Sequence, residues 1–264
     1  MLLAVAVQAA GFVRMMIIAA EFGASLDVDA YNLGIVVPTF ISTVIGGWLQ
    51  VGFVGRYAGL VATDDHDTAA AYRSRMLLLV TLLAATVTAL CILLPDRIMM
   101  LFLPSSKEVT ASAAAAALSV TGWILGPTII GDFLGLVLNS HGRFFAAASA
   151  PLANAAISVA ALLLWPAVGL PALVWSLVLG SISQFAVVAA ALASVRLSFP
   201  VRSLEARGEV LTTIAIGLPL LPAMMLANSA SAILQFRSAE LGEGAVAILG
   251  YATRLHNALT QVVV

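Results

Sequence analysis

The chain has 264 residues, 62% hydrophobic and 9% charged, against roughly 45 to 50% apolar and 25% charged in ordinary soluble domains. That composition excludes a soluble globule. Twelve Lys+Arg against thirteen Asp+Glu leave a formal charge of -1, so no overall field draws nucleic acid, and a single cysteine, Cys91, excludes an intramolecular disulfide framework or a cysteine metal cluster.

A spanning helix takes about 20 mostly apolar residues, and eight such runs are read at 2 to 22, 31 to 54, 76 to 94, 110 to 139, 144 to 165, 170 to 195, 210 to 236 and 245 to 264. The continuously apolar run from 76 to 94 excludes a β-barrel, whose strands alternate apolar and polar. The predicted fold class is therefore all-α and integral to the membrane, a polytopic transmembrane helix bundle. Interior prolines at Pro38, Pro127, Pro151, Pro219 and Pro222 fit this reading, because neighbouring helices re-satisfy the backbone groups that proline frees.

The first span carries Arg14 at its middle and Glu21 near its outer end. The segment 23 to 30 holds only negative charge, in Asp27 and Asp29, and reads as an exposed outer loop; 62 to 75 reads as a cytoplasmic loop. In the latter, Asp64, Asp65, His66 and Asp67 read as solvated residues, since four neighbours in sequence cannot all turn to one ion without a shaped loop. Cys91 reads as a buried packing residue. The fourth span pairs Gly122 with Gly126 and Gly131 with Gly135, spacings that let another helix approach closely, and it holds Asp132.

With alternating spans, Arg56, Arg73, Arg75, Arg143, Arg196, Arg202 and Arg207 fall on one side and Arg97, Lys107 and Arg237 on the other. The excess puts the first group and the N-terminus in the cytoplasm. The chain enters apolar sequence at its second residue and stops at 260 to 264 inside the last span, which reads as part of a longer transporter.

A charge near mid-span costs about 2.5 to 3.5 kcal/mol on insertion scales, so Arg14, Arg254 and Asp132 each need a partner, a wet cavity or a role. For the arginines two readings stand: an ion pair with Asp132 or Glu21, or a cationic cavity whose guanidinium forks suit a phosphate. For Asp132 the readings are an arginine partner or a protonation or cation-coupling site. Asn139, Asn154 and Asn228 are further polar candidates for a cavity, together with Gln8, Gln50, Gln184 and Gln235. His66, His141 and His256 form no HExxH-like pair, and there is no GxxxxGK[ST] loop; the expected function is transport without ATP, cofactor or metal, rather than catalysis.

Three blocks carry a resemblance: GFVRMMIIAAEFGASLDVDAY at 11 to 31, LNSHGRFFAAASAPLANAAI at 138 to 157 and GYATRLHNAL at 250 to 259. In order and spacing they resemble the MurJ (MviN) family of lipid II flippases, within the larger exporter superfamily that includes the drug-extruding MATE proteins. The resemblance implies a bundle of about fourteen helices in two six-helix lobes plus two more, with residues 1 to 200 the first lobe and 201 to 264 the first two helices of a truncated second. It implies that Arg14 and Arg254 face a central cavity and bind the substrate headgroup, and that Asp29 belongs to a functional segment. It further implies alternating-access flipping of undecaprenyl-pyrophosphate-linked peptidoglycan precursor in the bacterial inner membrane, for cell-wall biogenesis, by a protein functional as a monomer when full length. Membrane lipids and a lipid-linked glycan are the expected partners, and the membrane potential or a monovalent cation the expected energy source. Two departures stand out: Ser42, Thr43 and Gly47 occupy positions where the family carries two basic residues and an acid, and Asp132 replaces a small or neutral residue. They leave another lipid-linked oligosaccharide as an alternative substrate, followed by a MATE-like cation antiporter or an inactive fragment.

Overall fold

In the computed structural model the described residues are 2–63, 65–103, 108–165, 169–195, 197, 199 and 206–263, with side chains left aside at 2, 4, 108 and 257–263. They form twelve α-helices: α1 Leu2–Phe22, α2 Leu26–Gly52, α3 Val54–Ala62, α4 His66–Leu93, α5 Pro95–Phe102, α6 Glu108–Thr121, α7 Leu125–Ser140, α8 Phe144–Leu164, α9 Leu170–Ser194, α10 Arg207–Gly217, α11 Leu221–Ser238 and α12 Ala245–Val263. Several are segments of one rod. α2 runs on into α3, α6 into α7 through a 3₁₀ turn at Gly122–Ile124, and α10 into α11 through another at Leu218–Leu220. Seven of the resulting rods are long and apolar enough to cross a membrane among the described residues, and the eighth expected span is helical as α12. Their outward faces carry leucines such as Leu78, Leu82 and Leu164 open to the surroundings, which is the arrangement a lipid solvent requires.

Two span starts differ from the sequence reading, and one short helix is added. The second span starts at Leu26 rather than 31, so Asp27 and Asp29 sit in the first turn of α2, where the helix dipole favours acids; Asp29 is buried, not an exposed loop acid. The third begins at His66 rather than 76, so the expected loop 62 to 75 is mostly helix. There the Asp65 side chain accepts from Thr68 N at 3.2 Å and caps α4, while Asp64 lies outside the described residues. Arg73, expected in that loop, is buried: it donates to the Tyr57 hydroxyl at 2.6 Å and lies over the Phe199 ring. A short helix, α5, was not expected; Pro95 at its first position and Asp96 in its first turn start it. Of the cations used for orientation, Lys107, Arg196 and Arg202 lie outside the described residues.

Small residues set the helix spacing, because lipid tails leave packing rather than water expulsion to hold spans together. A Cβ at Gly34 on α2 would stand 3.0 Å from the backbone of Ala117 on α6, and Thr121 Oγ1 donates to Gly34 O at 2.8 Å. Gly122 packs on Cys91, whose thiol is buried as expected, and Gly131 on Phe185. At one end of the bundle an aromatic cluster of Phe53, Tyr57, Tyr72 and Phe133 closes the core, with Phe53 centroids 4.9 Å from both Tyr57 and Phe133.

Candidate functional site

The continuation formed by α10, α11 and α12 packs on α2, and a cavity of about 410 Å³ opens between them. Its polar wall comes from Asn32, Thr39 and Thr43 on α2, Asn228 and Gln235 on α11, and Arg254 on α12. The helical period explains the selection. Asn32, Thr39 and Thr43 lie seven and four residues apart, one stripe of α2, and Asn228 and Gln235 are seven apart on α11.

Arg254 and Arg14 converge on a single residue that sequence reasoning did not single out. Tyr31 is fully buried; Arg14 Nη1 donates to its hydroxyl at 2.8 Å, and the guanidinium carbons of Arg14 and Arg254 lie 5.6 and 5.9 Å from its ring centroid. Arg14 Nη2 also donates to Ser176 Oγ at 3.2 Å, and Arg254 Nη2 to Asn32 Oδ1 at 3.2 Å. The ion pairs weighed for these arginines are not the arrangement found: neither is bonded to Asp132 or Glu21 among the described residues, and Glu21 is exposed at the end of α1. Arg14, expected to face the cavity, is not among the residues that line it; on the wall itself, Asn32 Nδ2 is buried without a hydrogen-bond partner among the described residues. A buried donor left unmade is costly, so Asn32 Nδ2 marks a place on the wall where a ligand acceptor is favoured. The sequence signal for Tyr31 is its place at the end of the block 11 to 31, two residues after Asp29; Asn32 follows just outside that block.

Asp29 does not line that cavity. Its Oδ2 accepts from Gly244 N at 2.6 Å and its Oδ1 from Ala247 N at 2.7 Å, so α2 caps the N-terminus of α12. Gly244 has φ +83°, and an added Cβ would stand 2.8 Å from Ala24 O. Tyr251 Oη donates to Gly23 O at 2.7 Å, a second tie at this end. At the opposite end Arg56 pairs with Glu209 and the Tyr72 and Thr213 hydroxyls are hydrogen-bonded, joining α3 and α4 to α10. The α10 to α12 continuation is thus tied to the rest of the bundle at both ends.

The remaining candidates divide. Asn228 is on the cavity wall, with its Nδ2 donating to Met224 O at 2.8 Å. Asn139 and Asp132 line a separate cavity among α2, α7, α8 and α9. Asn154 bridges helices: its Nδ2 donates to Gln184 Oε1 at 2.9 Å, and it accepts from Ser158, whose hydroxyl also reaches Ser176 O. These bonds link the residue beneath Arg14 with the Asp132 cavity. At the α2 positions where two basic residues and an acid were expected, Ser42 bonds Thr39 O, Thr43 faces the cavity, and Gly47 packs on Met224.

Three solved structures are similar in fold. A lipid II flippase MurJ in an inward closed conformation aligns with TM-score 0.78 and 18% identity over 97% of this chain and 54% of that one. An inward-facing multidrug resistance MATE family transporter of the MOP superfamily aligns at 0.71 and 16%, covering 91% and 57%. A MOP superfamily transporter from Pyrococcus furiosus aligns at 0.64 and 16%, covering 96% and 60%. The chain therefore spans a little over half the length of the solved structures it resembles. No curated protein matches it in sequence. The family described as lipid II flippase MurJ matches residues 18–263, and with this match over nearly the whole membrane-spanning bundle, the chain belongs to the MurJ family.

Proposed function

We propose that this chain belongs to a transporter, not an enzyme, that flips lipid II from the inner to the outer leaflet of the bacterial plasma membrane by alternating access. The observation that carries the reading is the convergence of Arg14 and Arg254 on Tyr31 beside the cavity, with Asn32 Nδ2 left without a partner. Guanidinium keeps its charge when partly desolvated and donates in a planar fork that matches phosphate oxygens. In this reading Arg254 and Asn32 take the pyrophosphate, and Arg14 orients Tyr31 from behind. The polyprenyl tail stays in the bilayer, since moving it into water would cost about 0.8 kcal/mol per CH₂. The N-terminus faces the cytoplasm, supported by Arg56 and Arg73 at the aromatic end of the bundle. With the cytoplasm negative, each exported negative charge gains about 2.3 kcal/mol per 100 mV, so no nucleotide is needed. A protein working as a monomer suffices.

Losing one charge-assisted contact costs about 1.5 to 3 kcal/mol, or about 10- to 150-fold in affinity. The test is retention of lipid II by the purified chain in nanodiscs, read by native mass spectrometry. Arg254→Ala is expected to bind at least tenfold more weakly than wild type; equal retention would refute the reading. Thr43, neutral on the cavity wall, favours a second reading, another polyprenyl-pyrophosphate-linked glycan. Competition between lipid II and a lipid-linked O-antigen unit separates the two.

A further inference from the structure

The Asp132 cavity, about 320 Å³, is walled by α2, α7, α8 and α9 and takes no part in the headgroup reading. Asp132 is the only charged residue among those lining it, and Gln50, Asn139 and Gln184 supply the polar remainder. No histidine or cysteine is among them. Glycines make the space: Asp132 Oδ2 looks across to Gly46 on α2, where a Cβ would be 3.9 Å away, and a Cβ at Gly135 would meet Ala147 at 3.8 Å. Arg14 and Arg254, the intramembrane cations, are bonded elsewhere.

A carboxylate within the span needs a compensating charge. One carboxylate with neutral carboxamide oxygens matches a hard monovalent cation, because a divalent ion would leave net positive charge in the bilayer and soft metals prefer sulfur or imidazole. The Gln184 carbonyl is already engaged by Asn154 Nδ2, which leaves Gln50 and Asn139 as the freer oxygens. We propose that this first-lobe cavity is a Na⁺ site, with the Asp132 carboxylate as the charged ligand and the side-chain carbonyls of Gln50 and Asn139 as neutral ones. The site stands independently of which lipid the protein carries.

The test is equilibrium binding of ²²Na⁺ to the purified 264-residue chain in nanodiscs free of lipid-linked glycan, at neutral pH with K⁺ as the background salt. Wild type is expected to bind one equivalent, displaced by unlabelled Na⁺ and not by equimolar Mg²⁺. Asp132→Asn is expected to lose binding at least tenfold, and Asn139→Ala, which keeps the charge, several-fold. Thermal unfolding of each variant in K⁺ reports its folding, and a Na⁺-induced rise in midpoint for wild type alone gives the same answer from a second direction. Absence of saturable binding to folded wild type overturns the proposal, as does binding by folded Asn139→Ala and Asp132→Asn equal to wild type. A carboxyl infrared band that responds to pH and not to Na⁺ would make Asp132 a proton site and overturn it as well.

Discussion

Asp29→Asn is expected to loosen one end of the helix bundle by an amount the geometry fixes. The carboxylate is buried and accepts two short bonds, from Gly244 N and Ala247 N. A carboxamide has one acceptor oxygen where the carboxylate has two, so one of those bonds is lost, worth about 1.5 to 3 kcal/mol for a charged acceptor. Removing the negative charge at a helix N-terminus costs about 0.3 to 1 kcal/mol more. The sum is near 3 kcal/mol, or about a hundredfold in a local opening equilibrium. Hydrogen exchange of the chain in nanodiscs measures it: amides of the segment 242 to 250 are expected to exchange about a hundred times faster in the variant. Amides of 84 to 91 in α4, remote from Asp29 in the fold, are expected to be unchanged. Exchange at 242 to 250 within twofold of wild type would refute the reasoning that α2 holds α12 through this carboxylate.

At the opposite end, Arg56→Ala and Glu209→Ala are each expected to cost under about 1 kcal/mol, because the pair is partly exposed; a double-mutant cycle by thermal unfolding should show coupling that shrinks with added salt. Gly180→Ala drives a Cβ against Ser158 Oγ and within 2.9 Å of Asn154 O, and the α8–α9 contact should lose about 1 to 3 kcal/mol by overpacking, whereas Gly135→Ala, with its nearest neighbour at 3.8 Å, should unfold near the wild-type temperature. Cys91, buried against Gly122, is expected to react with maleimide far more slowly than a Thr63→Cys control at an exposed helix end.

Long apolar runs were legible because a span set among lipid tails and apolar helix faces asks only for apolar residues: Phe144–Leu164, Leu170–Ser194 and Val109–Ser140 fall within one residue or so of their expected bounds. Hydropathy failed where a helix starts with polar residues that find partners. The head of α4 reads as a loop in the sequence because Asp67, Arg73 and Arg75 look solvated, yet Tyr57 and Phe199 enclose Arg73. Asp27 and Asp29 misled in the same way, although acids after Ser25 are also what a helix start carries. For the site, intramembrane charge singled out Arg14 and Arg254, but the residue that joins them, Tyr31, is uncharged and its role depends on how α1, α2 and α12 meet. The two cavities were not separable in sequence, since Asn139 and Asn228 differ only in which face of which helix they occupy.

In the proposed function the headgroup of a lipid-linked pyrophosphate sits against the α2, α11 and α12 wall. The most direct measurement is in-cell photo-crosslinking from a benzophenone side chain placed at Thr43, on that wall, and separately at Leu78, on the outward face of α4. An adduct carrying the pyrophosphate-linked glycan from position 43, weakened by Arg254→Ala and absent from position 78, is the predicted result. Glycan adducts from 78 with none from 43, in a chain that inserts and folds, would contradict it.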